Sequence, residues 1–229
     1  MKKFFILSIL LFTPVICEAN NLNLDSINAI QTRIDSVGTN ILNNNKITRR
    51  VVFTYDEREK KKKLTTDKAL TKRQIIIYDG LYNSVQTDDE LAALISREIS
   101  TVIKSYDGVW GGTIDSIQVA LSSKKFETAA DKRAVDFMVN AGYNPLALIV
   151  YINKTCPQKR FDRFSRHNLT SKRLARIYEY ITYKYPQYLE NNEYLNNKYY
   201  QNFLLTSIEN RKKLEEKIKY NQCKEIKYE

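Results

Sequence analysis

The chain has 229 residues, 43% hydrophobic and 28% charged, with a formal net charge of +11. That length and balance fit one globular domain with a core of its own and exclude a fold that depends on staples. The charge favours acidic partners such as anionic lipid, envelope polymer or nucleic acid. The basic residues are scattered and no nucleic-acid module signature appears, so nucleic acid is not an expected partner.

The first twenty residues place Lys2 and Lys3 before an apolar run from Phe4 to Ile16, with Cys17 and Ala19 at the −3 and −1 positions. This is the pattern of a secretory signal peptide over 1–19, cut after Ala19. The bulky Ile16 argues against lipid attachment at Cys17. The apolar run is short for a membrane span, and no later segment offers a transmembrane helix. The expected mature chain is exported, periplasmic or secreted, and comprises 20–229 as one domain. It retains Cys156 and Cys223, whose spacing matches no metal motif; a disulfide and two free thiols both remain open.

Residues 23–42 carry Ile27, Ile30, Ile34, Val37 and Ile41 at helical spacing, with Asp25 as the expected cap and Asn43 to Asn45 as the end. Arg49 to Tyr55 reads as a strand, Asp56 to Lys63 as a charged, solvated turn, and Arg73 to Tyr78 as a second strand. The stretch Asp88 to Lys104 predicts an amphipathic helix. Thr87 suits its N-cap and Glu90 the reciprocal partner of a capping box. Leu91, Leu94, Ile95, Ile99, Val102 and Ile103 form its apolar face. Glu98 falls inside that arc, where a carboxylate must be neutral, hydrogen-bonded, paired or functional.

Beyond it, Ser105 to Gly112 is a Gly-rich loop with the only tryptophan, and Thr113 to Leu121 a short helix. Phe126 to Ala141 predicts a helix ended by Gly142 at C′. Asn144 and Pro145 suit the N-cap and N1 positions of the next helix, to about Lys154. A loop over 160–169 holds His167, the only histidine. Thr170 is the expected cap of a helix through Ile181. From about 186 to 229 the chain predicts a helical C-terminal extension of two helices, the second partly solvated.

The order of these pieces resembles the zincin metallopeptidases of the HtpX and CAAX-prenyl-protease kind, peptidase family M forty-eight. Glu127 and Asp131 match the family's E-x-x-x-D, residues 141–145 (AGYNP) its A-G-Y-x-P phrase, and His167 with Arg173 its later loop, although Asn168 stands where that loop has proline. The resemblance covers roughly residues 48–185. It implies an α+β, mostly helical zincin-like domain with a small sheet packed on the helix that bears the catalytic motif. It also implies that the Arg73–Tyr78 strand edges a peptide cleft.

That motif, H-E-x-x-H, aligns with Arg97-Glu98-Ile99-Ser100-Thr101. The family's chemistry needs two neutral imidazoles one helical turn apart to hold Zn²⁺, with a glutamate as general base. Arg97 offers only donors and stays protonated, Thr101 is a poor zinc ligand, and one histidine cannot supply two. The general-base position (Glu98) and the third-ligand position (Glu127) survive. Arg97 is expected to offset their charge, and Asp131 to pair with Arg173.

The resemblance therefore implies a catalytically inactive pseudopeptidase that binds extended peptide or an envelope protein, without a cofactor. Two alternatives stand beside it. One is a working zinc metalloendopeptidase with an atypical site, and the other a basic protein that binds an anionic envelope surface.

Overall fold

The computed structural model describes residues 13–58, 74–104, 123–156, 169–222 and 226–228. The charged run Lys60–Lys63, the tryptophan loop, the helix expected over 113–121, His167 and Cys223 lie outside the described residues. In chain order the elements are α1 (Thr13–Asn44), β1 (Val52–Asp56), β2 (Gln74–Tyr78), α2 (Asp79–Tyr82), α3 (Asp88–Lys104) and α4 (Ser123–Asn140). They continue with α5 (Leu146–Thr155), α6 (Thr170–Lys184), α7 (Gln187–Glu190), α8 (Lys198–Thr206) and α9 (Ile208–Lys219). The fold is α+β and predominantly helical, with one two-stranded parallel sheet among the described residues. No helix among them is long and apolar enough to cross a membrane.

Helix α3 has the bounds its sequence predicts, but its surroundings differ from the amphipathic expectation. From Glu90 to Val102 every residue is buried except Arg97 and Thr101, which are half-buried. The polar side of the expected helix consists largely of Ala92, Ala93, Ser96 and Ser100, short side chains that let neighbours approach from a second direction. Helices α1, α4 and α5 pack around it. Helix α5 is buried continuously from Leu146 to Ile152. One hydrophobic cluster joins Ile34 and Ile41 of α1, Ile75 and Ile77 of β2, Leu94 and Ile99 of α3, Met138 of α4, Ile177 of α6 and Phe203 of α8.

Local signals set several boundaries. Gly142, at φ +82°, closes α4. Its N–H donates to Val139 O at 3.0 Å and the Tyr143 N–H to Met138 O at 2.9 Å, the paired bonds of a Schellman motif. Pro145 has helical φ and ψ, and Asn144 Oδ1 accepts the Leu146 N–H at 3.0 Å, so Asn144 caps α5 as expected. Two expected caps fail. Helix α1 runs through Asp25 from Thr13 without a break. Thr170 is itself the first residue of α6, not the residue before it. The C-terminal extension forms α8 and α9, with the short α7 ahead of them. It is anchored by buried Tyr200, Phe203 and Leu214.

Ile75 and Ile77 of β2 share the core cluster with Leu91, Leu94, Ile95 and Ile99 of α3, and α1 lies along β1. At Gly38 the ring of Phe53 sits directly over the α1 backbone, in the space a Cβ would take. On the outer side of β1, Gln31 of α1 accepts the Tyr55 N–H through Oε1 at 2.7 Å and donates through Nε2 to Phe53 O at 3.1 Å. A residue in a parallel ladder turns its N–H and C=O to the same side. With Phe53 and Tyr55 turned toward Gln31, Thr54 faces β2 and, from the register Thr54↔Ile76, Ile75 and Ile77 face β1. The main-chain groups of Ile76 therefore point away from β1. We expect Gly38→Ala to destabilise the fold by about 1–2 kcal/mol despite alanine's better helix propensity. Urea unfolding of Gly38→Ala and of Gly38→Ala/Phe53→Leu tests this, the second change recovering most of the loss.

Candidate functional site

The start of α3 is held more firmly than a capping box alone would hold it. Thr87 Oγ1 accepts the Glu90 N–H at 3.2 Å. The Glu90 carboxylate reaches back to the Gln86 N–H at 2.9 Å, one residue beyond the expected reciprocal partner. Lys154 of α5 pairs with the same oxygen at 3.0 Å, both side chains buried. The helix is thus fixed in rotation at its first turn, which determines where Arg97 and Glu98 point two turns later.

There the side chains of α3, α4 and α6 meet in one charged cluster. Arg97 Nη1 donates to Glu98 Oε1 at 3.0 Å and Arg97 Nε to Asp131 Oδ1 at 3.3 Å. Its Nη2 stands 3.9 Å from Glu127 Oε1. Arg173 grips Asp131 with two bonds, Nε to Oδ2 at 2.9 Å and Nη2 to Oδ1 at 2.8 Å. Arg173 Nη1 reaches Glu127 Oε1 at 3.1 Å and Cys156 Sγ at 3.5 Å. Glu98, Glu127, Asp131 and Arg173 are all buried, while the Arg97 side chain keeps 23% of its surface. Thr101 Oγ1 donates to the Arg97 carbonyl at 3.1 Å and joins none of the charges. Among the described residues, three carboxylates face two guanidiniums.

The protonation tendencies follow from burial and from these contacts. Burial pushes the Glu98 carboxyl above the ordinary glutamate range, and Arg97 and Arg173 offset this only in part. Glu98 Oε2 has no partner among the described residues. Burial and the neighbouring Arg173 press Arg97 downward, but Glu98 and Asp131 outweigh them and hold it firmly charged. Arg173 is likewise raised, Asp131 overcoming the effect of burial. The Tyr151 phenol on α5 is pushed up by burial, with Arg97 opposing and Glu98 adding to the rise.

The described residues do not by themselves fit a zinc ion. Two guanidiniums occupy the space between the three carboxylates, and cations repel a cation. Among the described residues no three His, Cys, Asp or Glu side chains converge as a donor set. Of the residues the sequence singled out, the fold brings together Arg97, Glu98, Glu127, Asp131 and Arg173, and His167 lies outside the described residues. Tyr151 and Cys156 were missed at this position. Tyr151 carries no motif signal, and Cys156 had drawn notice only as half of a disulfide. No protein-family model, curated protein or solved structure matches the chain.

Two measurements probe the cluster. Asp131→Asn leaves two buried guanidiniums short of counter-charge and should cost about 3 kcal/mol in urea unfolding, more than Glu127→Gln. For Glu98 the folded pKa lies above the unfolded one, so its contribution is fully present below the ordinary glutamate range and is lost as pH rises through the folded value. The stability of the native chain relative to Glu98→Gln should therefore fall from acid toward neutral pH. A difference that grows with pH would contradict the assignment.

Proposed function

We propose that the chain is a catalytically inactive, zincin-like pseudopeptidase of the cell envelope that binds extended peptide without cutting it. The observation that carries this reading is the Arg97 guanidinium, 3.0 Å from Glu98 and 3.9 Å from Glu127. In the family the chain resembles, a metal's charge serves the corresponding carboxylates. A guanidinium neutralises carboxylates as a metal would, but it has no vacant orbital for water and cannot lower a bound water's pKa. Glu98 then has no activated water to deprotonate. Its remaining role is to accept the Arg97 Nη1–H through Oε1, a bond that orients Arg97 toward α4.

Peptide binding is supported by the asymmetry of the sheet. The outer side of β1 is taken up by Gln31, whereas the outward N–H and C=O of Ile76 in β2 have no partner among the described residues. A strand edge with open main-chain groups pairs with an extended segment through backbone bonds, and the half-buried Gln74, Ile76 and Tyr78 would contact its alternate side chains. Export by the leader, release into the periplasm or medium and an envelope protein as partner are parts of the same proposal.

Purified protein should contain no stoichiometric zinc by mass spectrometry, leave casein intact and unfold at the same temperature with and without chelator. Arg97→His/Thr101→His should acquire zinc. Stoichiometric zinc in the native chain, with casein cleavage abolished in Glu98→Gln, would instead establish an active metalloendopeptidase. Steeply salt-dependent adsorption to anionic vesicles, with neither property, would favour the envelope-surface reading.

A further inference from the structure

The outer side of β1 holds a feature that the peptide-binding reading does not use. Gln31 presents a carboxamide N–H to Phe53 O and a carboxamide oxygen to the Tyr55 N–H, flanking Thr54. One residue of a parallel strand placed opposite Thr54 would make these same two bonds. The amide's orientation is set by a further bond from Gln31 Nε2 to Asp35 Oδ2 at 2.9 Å. A helix side chain thus stands in for a missing strand at the centre of the β1 edge.

What the stand-in excludes can be read from the strand itself. Residues 49–57 run RRVVFTYDE. The outward main-chain groups belong to Phe53 and Tyr55, so a second copy of β1 can pair antiparallel about a two-fold axis at Phe53. In that register Phe53 faces Phe53 and Tyr55 faces Val51, both as hydrogen-bonded pairs. Arg50 then lies opposite Asp56, and Arg49 opposite Glu57, twice over by symmetry. Centring the axis on Tyr55 loses this match and sets Val52 against Arg58. Val52 adds an exposed β-branched side chain on the strand, at 40% relative exposure, and Arg50 and Glu57 are exposed as well. An edge with open backbone groups, an exposed apolar residue and self-complementary charge is a template for its own copy.

We propose that Gln31 is a lock on self-association: its carboxamide occupies the β1 edge and prevents a second copy of this chain from pairing there about Phe53. The lock stands apart from the Glu98 cluster, and the chain keeps it whether or not β2 binds peptide. Asp56 is part of the pairing surface: Arg58 of its own chain holds its carboxylate, with Nε at 2.9 Å from Oδ1, and Arg50 of the other copy would meet the same group.

Sedimentation velocity on the full chain tests the lock, with circular dichroism to establish that each variant is folded. The native chain should be monomeric and Gln31→Ala dimeric. Gln31→Ala/Asp56→Lys should return to monomer, because like charges then face each other at both ends of the pair. The charge-swapped Gln31→Ala/Arg50→Asp/Asp56→Arg should dimerise again. A folded Gln31→Ala that stays monomeric overturns the proposal, as does a dimer indifferent to Asp56→Lys. A native chain that already dimerises through this edge also overturns it. Should Gln31→Ala fail to fold, Gln31→Glu retains an acceptor for the Tyr55 N–H but loses the donor to Phe53. It should dimerise more than the native chain, and a folded, monomeric Gln31→Glu refutes the lock.

Discussion

The bond pair between Arg173 and Asp131 is the constraint on which the rest of the charged centre depends. Burying an ion costs several kcal/mol unless a partner of good geometry compensates it, and here both groups are almost fully enclosed. Asp131 serves two guanidiniums at once, and Glu127 lies beside both. Neither α4 nor α6 can rotate or slide without separating charges that have no water to replace their partners. Helix α3 is caught in the same arrangement through Arg97. A helix of small and apolar residues can therefore be buried on nearly every side and still have a defined rotation about its axis.

The same cluster sets the chemical character of the centre. A guanidinium delocalises a single charge over a planar fork and satisfies carboxylates by hydrogen bonding. It balances charge without offering a coordination position. Among the described residues, Glu98 is the acid of the three with a buried oxygen that lacks a hydrogen-bond partner, and burial raises its pKa. The two guanidiniums explain how these acids can be buried. What these contacts supply is cohesion between α3, α4 and α6.

Much of this was legible in the sequence. The bounds of α3, the Thr87 cap, the glycine stop at Gly142 and the Asn144–Pro145 start of α5 are local signals, fixed by hydrogen bonds within a few residues. Glu98 in an apolar arc was recognisable as an awkward carboxylate, and the spacing of Glu127, Asp131 and Arg173 pointed to an ion pair between helices. The failures have physical reasons. Asp25 is a good capping residue inside a helix that continues past it, since a cap signal does not by itself stop propagation. Helix α3 reads as amphipathic because Ser96 and Ser100 count as polar, yet their small size lets them sit in the core. The cover of α1 on β1 went unread because it runs through a glycine, Gly38, and an absent side chain leaves no hydrophobic mark.

By itself the sequence determined the α+β class, the main helices and the presence of a single histidine, because each follows from residue identity and short-range spacing. Only the tertiary structure decided that Arg97 turns inward to the carboxylates, that Tyr151 and Cys156 stand beside them, and that Gln31 bonds the outer side of β1. Those arrangements join residues separated by twenty to more than seventy positions, and no local periodicity encodes a contact that only the packing of helices creates.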